Sequence, residues 1–511
     1  MWIESLLGLT LLAAVIVFLS PDRVAGRLAF VLSLVPLAIS LEMFRRFDGT
    51  GNALLADGQP AFETHVEWIA LEPYAVNWWV GVDGVSMPLI VLATVLTTLA
   101  IVSAWTPIEA RRSQFYGLVL LQETALIGVF VALDFLLWFV FWEGVLIPMY
   151  LLIGVWGGPR RKYAAIKFFV YTNIASLVMF IGFVALLFGL GDAVESFGLP
   201  EITQALLAGE LGSLGAIPAE TLKFAAFGAI FFGFAVKVPV VPVHTWLPDA
   251  HVEAPTPVSV ILAGVLLKMG TYALFRFNFT MLEDVARALA VPIAAIALIS
   301  IIFGALLALA QSDLKRIVAY SSISSMGYVI LGLIAFTAYG MGGATFQMLS
   351  HGLISGLMFM VVGVIYNQTH TRMLTDMSGL ADRMPIAVGV FVAGAFAYMG
   401  LPLMSGFAAE FMIFVGAFES TVVPAAPIVT AVAMFGIVIV AGYLLWAMQL
   451  TMFGPFELDG DSELTRAPLH DIAPMVVLLA LIVVLGVDPD LIVWMIQDAV
   501  DPVLALGGDG L

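Results

Sequence analysis

Long apolar stretches recur along this chain, each near the length a helix needs to cross a bilayer, and short polar connections divide them. They lie near residues 3–20, 28–44, 84–105, 115–133, 135–156, 164–189, 222–242, 257–277, 285–310, 317–337, 343–366, 386–418, 428–453 and 472–496, about fourteen spans. The pattern predicts an all-α polytopic membrane protein, with Gly340-Met341-Gly342-Gly343 as a turn between two spans.

Spans seven and twelve are interrupted. In Lys237-Val238-Pro239-Val240-Val241-Pro242-Val243-His244 two prolines remove backbone donors, so the carbonyls of Ala235 and Val238 lose their usual partners. In Gly400-Leu401-Pro402-Leu403-Met404-Ser405-Gly406 the proline frees the Tyr398 carbonyl and the glycines loosen the turn. Irregular backbone at membrane depth is tolerated only inside protein or beside a wet cavity. Spans four to eight and nine to thirteen form two groups of five, and the fourth member of each is the broken one. Because five is odd, the second group enters from the opposite side, an inverted repeat. Ser176-Leu177-Val178-Met179-Phe180 and Ser355-Gly356-Leu357-Met358-Phe359, in the third spans of the two groups, echo one another. The expected organisation is a single membrane domain over 1–511: helices one to three over 1–110, the repeats over 111–280 and 281–455, and helix 14 over 456–511.

Composition excludes a water-soluble domain, with 62% hydrophobic and 11% charged residues and a mean hydropathy of +1.06. The formal charge of −17 reports topology, because the acids crowd into particular loops. Odd-numbered loops hold Arg111, Arg112, Arg160, Arg161, Lys162, Lys315, Arg316 and Arg372, whereas even ones hold chiefly Arg45, Arg46, Arg276 and Arg287 and the acidic stretch 192–220. The positive-inside rule then predicts cytoplasmic odd loops and both termini on the other side. No basic region precedes the first apolar run, so the first helix is expected to stay uncleaved. Without cysteine there is no ligand set for an iron–sulfur cluster. No phosphate-binding glycine motif appears either, so nucleotide binding and electron carrying, if they belong to this system, sit on other subunits.

Glu143, Lys237, Lys268 and Glu410 stand inside apolar spans, where a charge costs roughly 2.5–3.5 kcal/mol at the centre of the bilayer. Four such groups mark a path for protons. Glu143 follows Phe141-Trp142, and Lys237 is the best candidate for its partner. A carboxyl and an amine buried together make a two-state proton site, and the competing account is a static ion pair locking span five to span seven. Lys268 sits midway along its span without a carboxylate there, which requires water or a distant partner unless the side chain snorkels. Glu410 follows the second break and is either a path terminus or a cap for freed donors. His351 is well inside a span, where imidazole suits proton hopping or serves as an ordinary hydrogen-bonding group. His244 and His251 flank Trp246-Leu247-Pro248-Asp249, and the prolines deny them the spacing of a metal site. Lys167, Glu123, Asp134 and Lys315 are expected near span ends, as caps and anchors.

The run from Lys237 through Pro239, Pro242, His244, Trp246, Pro248, Asp249, His251, Pro255 and Ser259, followed by Leu266-Leu267-Lys268-Met269-Gly270-Thr271-Tyr272, resembles the signature of antiporter-like subunits of respiratory complex I. Asp313-Leu314-Lys315-Arg316-Ile317-Val318-Ala319-Tyr320-Ser321-Ser322-Ile323-Ser324 is similar to another of its motifs. The resemblance implies a fourteen-helix core with two inverted five-helix repeats. A glutamate at Glu410, where most members including the sodium/proton antiporter relatives have lysine, resembles the chain-M type, and the chain stops soon after its last span, unlike members with a long lateral helix. By the same resemblance Glu143 and Lys237 are the coupled pair, Lys268 the central relay, His351 part of a hydrated axis and Glu410 the final acid. His244, His251, Lys315, Ser325, Pro239 and Pro402 support them. Ser325 stands where many relatives have histidine, so that step must use a hydroxyl with water or be bypassed. The implied function is proton translocation as a subunit of NADH:quinone oxidoreductase in a bacterial inner membrane or its equivalent. No cofactor or metal is expected on this chain. FMN and iron–sulfur clusters sit on partner subunits, and quinone is reached through them. The expected partners are other complex I membrane subunits, including neighbouring antiporter-like chains, and the lipid bilayer, with no nucleic acid. The alternatives are a sodium/proton antiporter subunit and a passive membrane spacer.

Overall fold

The computed structural model describes residues 1–511 except 72, 459–463, 465–466 and 508–511, so the expected segment 456–511 falls partly outside it. Among the described residues thirteen helices are long and apolar enough to cross a membrane: Trp2–Leu19, Asp22–Arg46, Ser86–Ser103, Arg112–Val131, Phe135–Trp156, Arg161–Ala193, Ala219–Lys237, Thr256–Met281, Ala290–Leu309, Leu314–Ile334, Ala338–Thr369, Ala426–Thr451 and Leu469–Val487. These are spans 1–11, 13 and 14, and span 12 is a pair of shorter helices, Pro385–Tyr398 and Ser405–Glu419. Spans 8 and 11 are buried over their whole apolar windows and span 10 over nearly all of its own, while spans 1, 2, 13 and 14 form the rim. Spans 4, 8 and 10, among the less apolar of the long helices, thus lie inside together with span 11.

Both predicted breaks are present, and protein groups satisfy part of the freed backbone. After Lys237 the chain turns through residues 238–245 before the short helix Trp246–Glu253. Ala235, expected to lose its partner to Pro239, accepts instead from Val240 N–H at 3.1 Å. The Trp246 indole donates to the Val236 carbonyl at 2.8 Å, and Ser300 Oγ of span 9 accepts from Val241 N–H at 3.1 Å. In span 12, Leu401 N–H bonds to Phe396 O at 3.1 Å, and Gly400 adopts a φ of +63°, which glycine tolerates.

Interruption is not confined to these two spans. Span 5 consists of Phe135–Gly144 and Leu146–Trp156, because Pro148 cannot donate to the Gly144 carbonyl. Span 8 contains two wide π segments, Leu262–Leu266 and Leu274–Met281. Gly340–Gly343 is not a turn. It opens span 11, where a Cβ at Gly343 would lie 2.7 Å from Met412 Cβ of span 12, so glycine permits the close approach. The last apolar run, expected over 472–496, is two helices, Leu469–Val487 and Asp490–Ala505, divided at Asp488-Pro489.

The connection after span 2 contains an antiparallel hairpin, Ala61–Leu71 with Tyr74–Val82, in which Val66 faces Trp78. Helix Asp490–Ala505 folds back to the same face. There the Asp498 carboxylate accepts from Thr50 N–H and Gly51 N–H, both at 2.8 Å, and Asn52 Nδ2 donates to Ala499 O at 3.0 Å.

Candidate functional site

Lys237 is the last residue of its helix before the span 7 break, and its buried ammonium has no hydrogen-bond partner. It rests 5.1 Å from the centroid of the Trp142 ring and 5.8 Å from that of Phe168. The Trp142 indole is held by a 2.9 Å bond to Ser176 Oγ. Glu143, half-buried beside the kink in span 5, acts on Lys237 electrostatically, but no ion pair joins the two. Glu143 Oε1 is unpartnered, and Oε2 has only a long 3.5 Å contact from Asn173 Nδ2. The static lock, the competing account, is therefore not formed. The ammonium lies on an aromatic surface with the carboxylate nearby.

Lys268 is bound quite differently. Its Nζ lies 2.5 Å from the Ala263 carbonyl, within the first π segment of span 8, and 2.7 Å from His351 Nδ1 of span 11. An ammonium donating to Nδ1 leaves the neutral imidazole's proton on Nε2, and that atom is buried without a partner. The His351 ring packs edge-on against Tyr398 at 5.9 Å. His251 is fully buried, stacked on Phe359 at 4.4 Å, with both ring nitrogens unpartnered. Lys315 and Lys268 are the charges that act on His251, and Lys268 and His251 those that act on His351. Lys315, Lys268 and the two histidines thus make one electrostatically linked group. Lys315 donates to Ala254 O at 2.6 Å and lines a cavity of about 230 Å³ with Glu253 and Arg372. His244 stands apart, largely buried, with Nδ1 unpartnered and its ring edge-on to Phe303. Among the described residues no three His, Asp or Glu side chains converge as a metal site would require.

Glu410 is buried on the second half of span 12, with Oε2 unpartnered, which does not fit a cap for donors freed by the break. Its carboxylate folds against Gly400, where a Cβ would come within 2.5 Å of Oε2. Tyr328 and Tyr443 lie in its field, and Tyr328 OH donates to Ala433 O at 3.1 Å. The hydroxyls of Tyr398 and Tyr443 are buried without a closed hydrogen bond, beside the serines Ser321 and Ser322 of span 10. Ser325 lies one turn further along the same buried helix. Tyr398 and Tyr443 were not among the sequence candidates. Their signal is an aromatic hydroxyl inside an apolar span, which must find a partner when buried.

The expectations for the second rank divide. Asp134 caps span 5, accepting from Leu136 N–H at 2.9 Å and Leu137 N–H at 3.2 Å, and Lys167 pairs with Asp249 at 2.7 Å. Glu123 is not near a span end: it lies in the middle of span 4, fully buried, with both carboxylate oxygens unpartnered. Buried polar atoms in this number call for solvent within the core.

Residues 132–439 match the family described as NADH:quinone oxidoreductase/Mrp antiporter, TM. The chain is 39% identical over 486 residues to NADH-quinone oxidoreductase subunit M of Rhodobacter capsulatus, covering 94% of this chain and 90% of that one. It is 37% identical over 499 residues to F(420)H(2) dehydrogenase subunit M of Methanosarcina mazei, covering 97% and 96%. The chain belongs to this antiporter family. A chain of respiratory complex I from Thermus thermophilus superposes on this family member with a TM-score of 0.86 at 26% identity, covering 99% of both. The Mrp complex from Dietzia shares the fold, with a TM-score of 0.82 at 20% identity over 99% of this chain and 98% of that one. The family region contains both breaks, so Glu143, Lys237, Lys268, His351 and Glu410 of this antiporter-family chain all lie within it. Spans 1–4, the hairpin, span 14 and the helix Asp490–Ala505 lie outside it.

Proposed function

We propose that this chain carries protons along the row Lys315, His251, Lys268, His351 and on past Tyr398 to Glu410, as a membrane subunit of a quinone oxidoreductase complex of the complex I type. The supporting observation is the 2.7 Å contact from Lys268 to His351, because it joins span 8 of the first repeat to span 11 of the second. Each repeat alone holds an incomplete set of titratable groups. Moving one charge against 100 mV requires about 2.3 kcal/mol, so the row needs an external drive and a gate. Glu143 and Lys237 suit the gate: the ammonium has no fixed donor geometry to break, and a small approach to the carboxylate changes the energy of both.

The drive is electron transfer to quinone elsewhere in the assembly. NADH, FMN and the iron–sulfur clusters belong to partner subunits, and neighbouring antiporter-like chains flank this one. The loops rich in arginine face the cytoplasm and both termini the opposite side of an energy-transducing membrane. Glu143→Gln or Lys237→Ala is expected to lower quinone reduction coupled to pumping by about tenfold while assembly is retained. Purified complex assayed in proteoliposomes checks this, and normal pumping by assembled variants would refute the gate.

A further inference from the structure

Beyond Lys268, span 8 continues towards the hairpin face and carries a second buried cation. Arg276, counted above with the loop arginines, is inside the span, eight residues further on and about 12 Å along the helix. Its Nη2 is 2.6 Å from Asp83 Oδ1, its Nη1 3.4 Å from Asn52 Oδ1, and its Nε has no partner. The guanidinium covers the Tyr272 ring at 4.9 Å, one turn past Lys268. Further on, Asn278 Oδ1 and Thr280 Oγ1 are buried and unpartnered within the second π segment. Polar atoms therefore continue from Lys268 towards this face, and Arg276 stands among them.

Asp83 is saturated on its own side. It accepts from Ala53 N–H at 3.0 Å, Val85 N–H at 3.0 Å and Ser86 N–H at 3.1 Å. Burial pushes its carboxyl up, but Arg276 and these donors more than reverse that, holding it below the usual carboxylate range. The loop around Asn52 and the helix Asp490–Ala505 close over the pair.

A proton hops only through groups that accept one proton while passing on another. A guanidinium offers donors and no acceptor and keeps its charge, so it interrupts such a wire, as a single arginine does in selective pores. We propose that Arg276, held by Asp83, is a fixed stop that closes the hairpin face of the first repeat to protons on Lys268, leaving the lateral step through His351 as the way forward. This rests on Lys268 being the relay, and it adds a reason for the lateral direction.

The test uses the whole complex in proteoliposomes, without electron donor, under an imposed pH gradient reported by an entrapped pH-sensitive dye. Arg276→Gln with Asp83→Asn leaves no unpaired buried charge, and the glutamine carbonyl supplies the missing acceptor. Passive proton entry is expected to rise about fivefold or more over wild type, and adding Lys268→Met is expected to return it to the wild-type rate. A wild-type rate in the assembled double variant overturns the stop. So does a leak that survives Lys268→Met, since that reports general loosening. If the double variant does not assemble, Arg276→His is read in the same two ways, because imidazole accepts and passes protons. Full pumping by Lys268→Met alone is a separate result, which sinks the relay and with it the stop, whereas a wild-type leak rate in the double variant sinks the stop alone.

Discussion

Lys237 and Lys268 are both buried amines of the first repeat, yet the protein accommodates them by different physics. Lys237 lies against the faces of Trp142 and Phe168 with no hydrogen bond, whereas Lys268 donates to a carbonyl and an imidazole. A ring face attracts a desolvated cation by about 2 kcal/mol without fixing its direction, while hydrogen bonds to a charged group, worth about 1.5–3 kcal/mol each, demand one geometry. The first arrangement suits a group that must change partners. The second suits a link in a wire.

The comparison breaks most sharply at Lys268. Lys268→Met is expected to reduce pumping-coupled quinone reduction by well over about tenfold, and Lys268→Arg is expected not to restore it, because a guanidinium does not release its proton. Activity recovered in Lys268→Arg, measured on assembled complex, would make Lys268 a charge and not a relay. Trp142→Leu sharpens the other side. It removes the surface under the Lys237 ammonium, and a loss of roughly 1–2 kcal/mol predicts about a tenfold fall in turnover. The signature is that Trp142→Phe, which keeps a ring face, recovers most of it; equal loss in both would assign the effect to the Ser176 bond. Gly400→Ala is the mildest. An alanine at that positive φ costs about 1–2 kcal/mol and crowds the Glu410 carboxylate. The melting temperature of the complex should fall by a few degrees, and an unchanged value would remove Gly400 as the seat of that carboxylate.

Much of this was legible in the residues. Fourteen hydrophobic runs correspond to thirteen long helices and one broken pair, because hydropathy at bilayer length is a one-dimensional signal. The prolines at 239 and 402 marked the breaks because they act on their own backbone. The hairpin over residues 61–82 was missed, since its pairing joins residues that no helical period relates. His251 was rejected as a metal ligand and kept only as a supporting residue. Only the packing of span 10 and the short helix after the break sets it in the field of Lys315 and Lys268.

By itself, then, the order of residues determined which segments lie in the bilayer, the two breaks at Pro239 and Pro402, and four of the charges buried at a cost demanding explanation. Those are local properties, written in transfer energies and in backbone donors. Which charges touch was decided by the tertiary fold: that Lys268 meets His351 across the repeats, that Lys237 meets a ring before it meets Glu143, and that Arg276 is tied to Asp83. Distances between helices depend on how glycines, kinks and π turns let whole surfaces approach, and no stretch of chain contains that information alone.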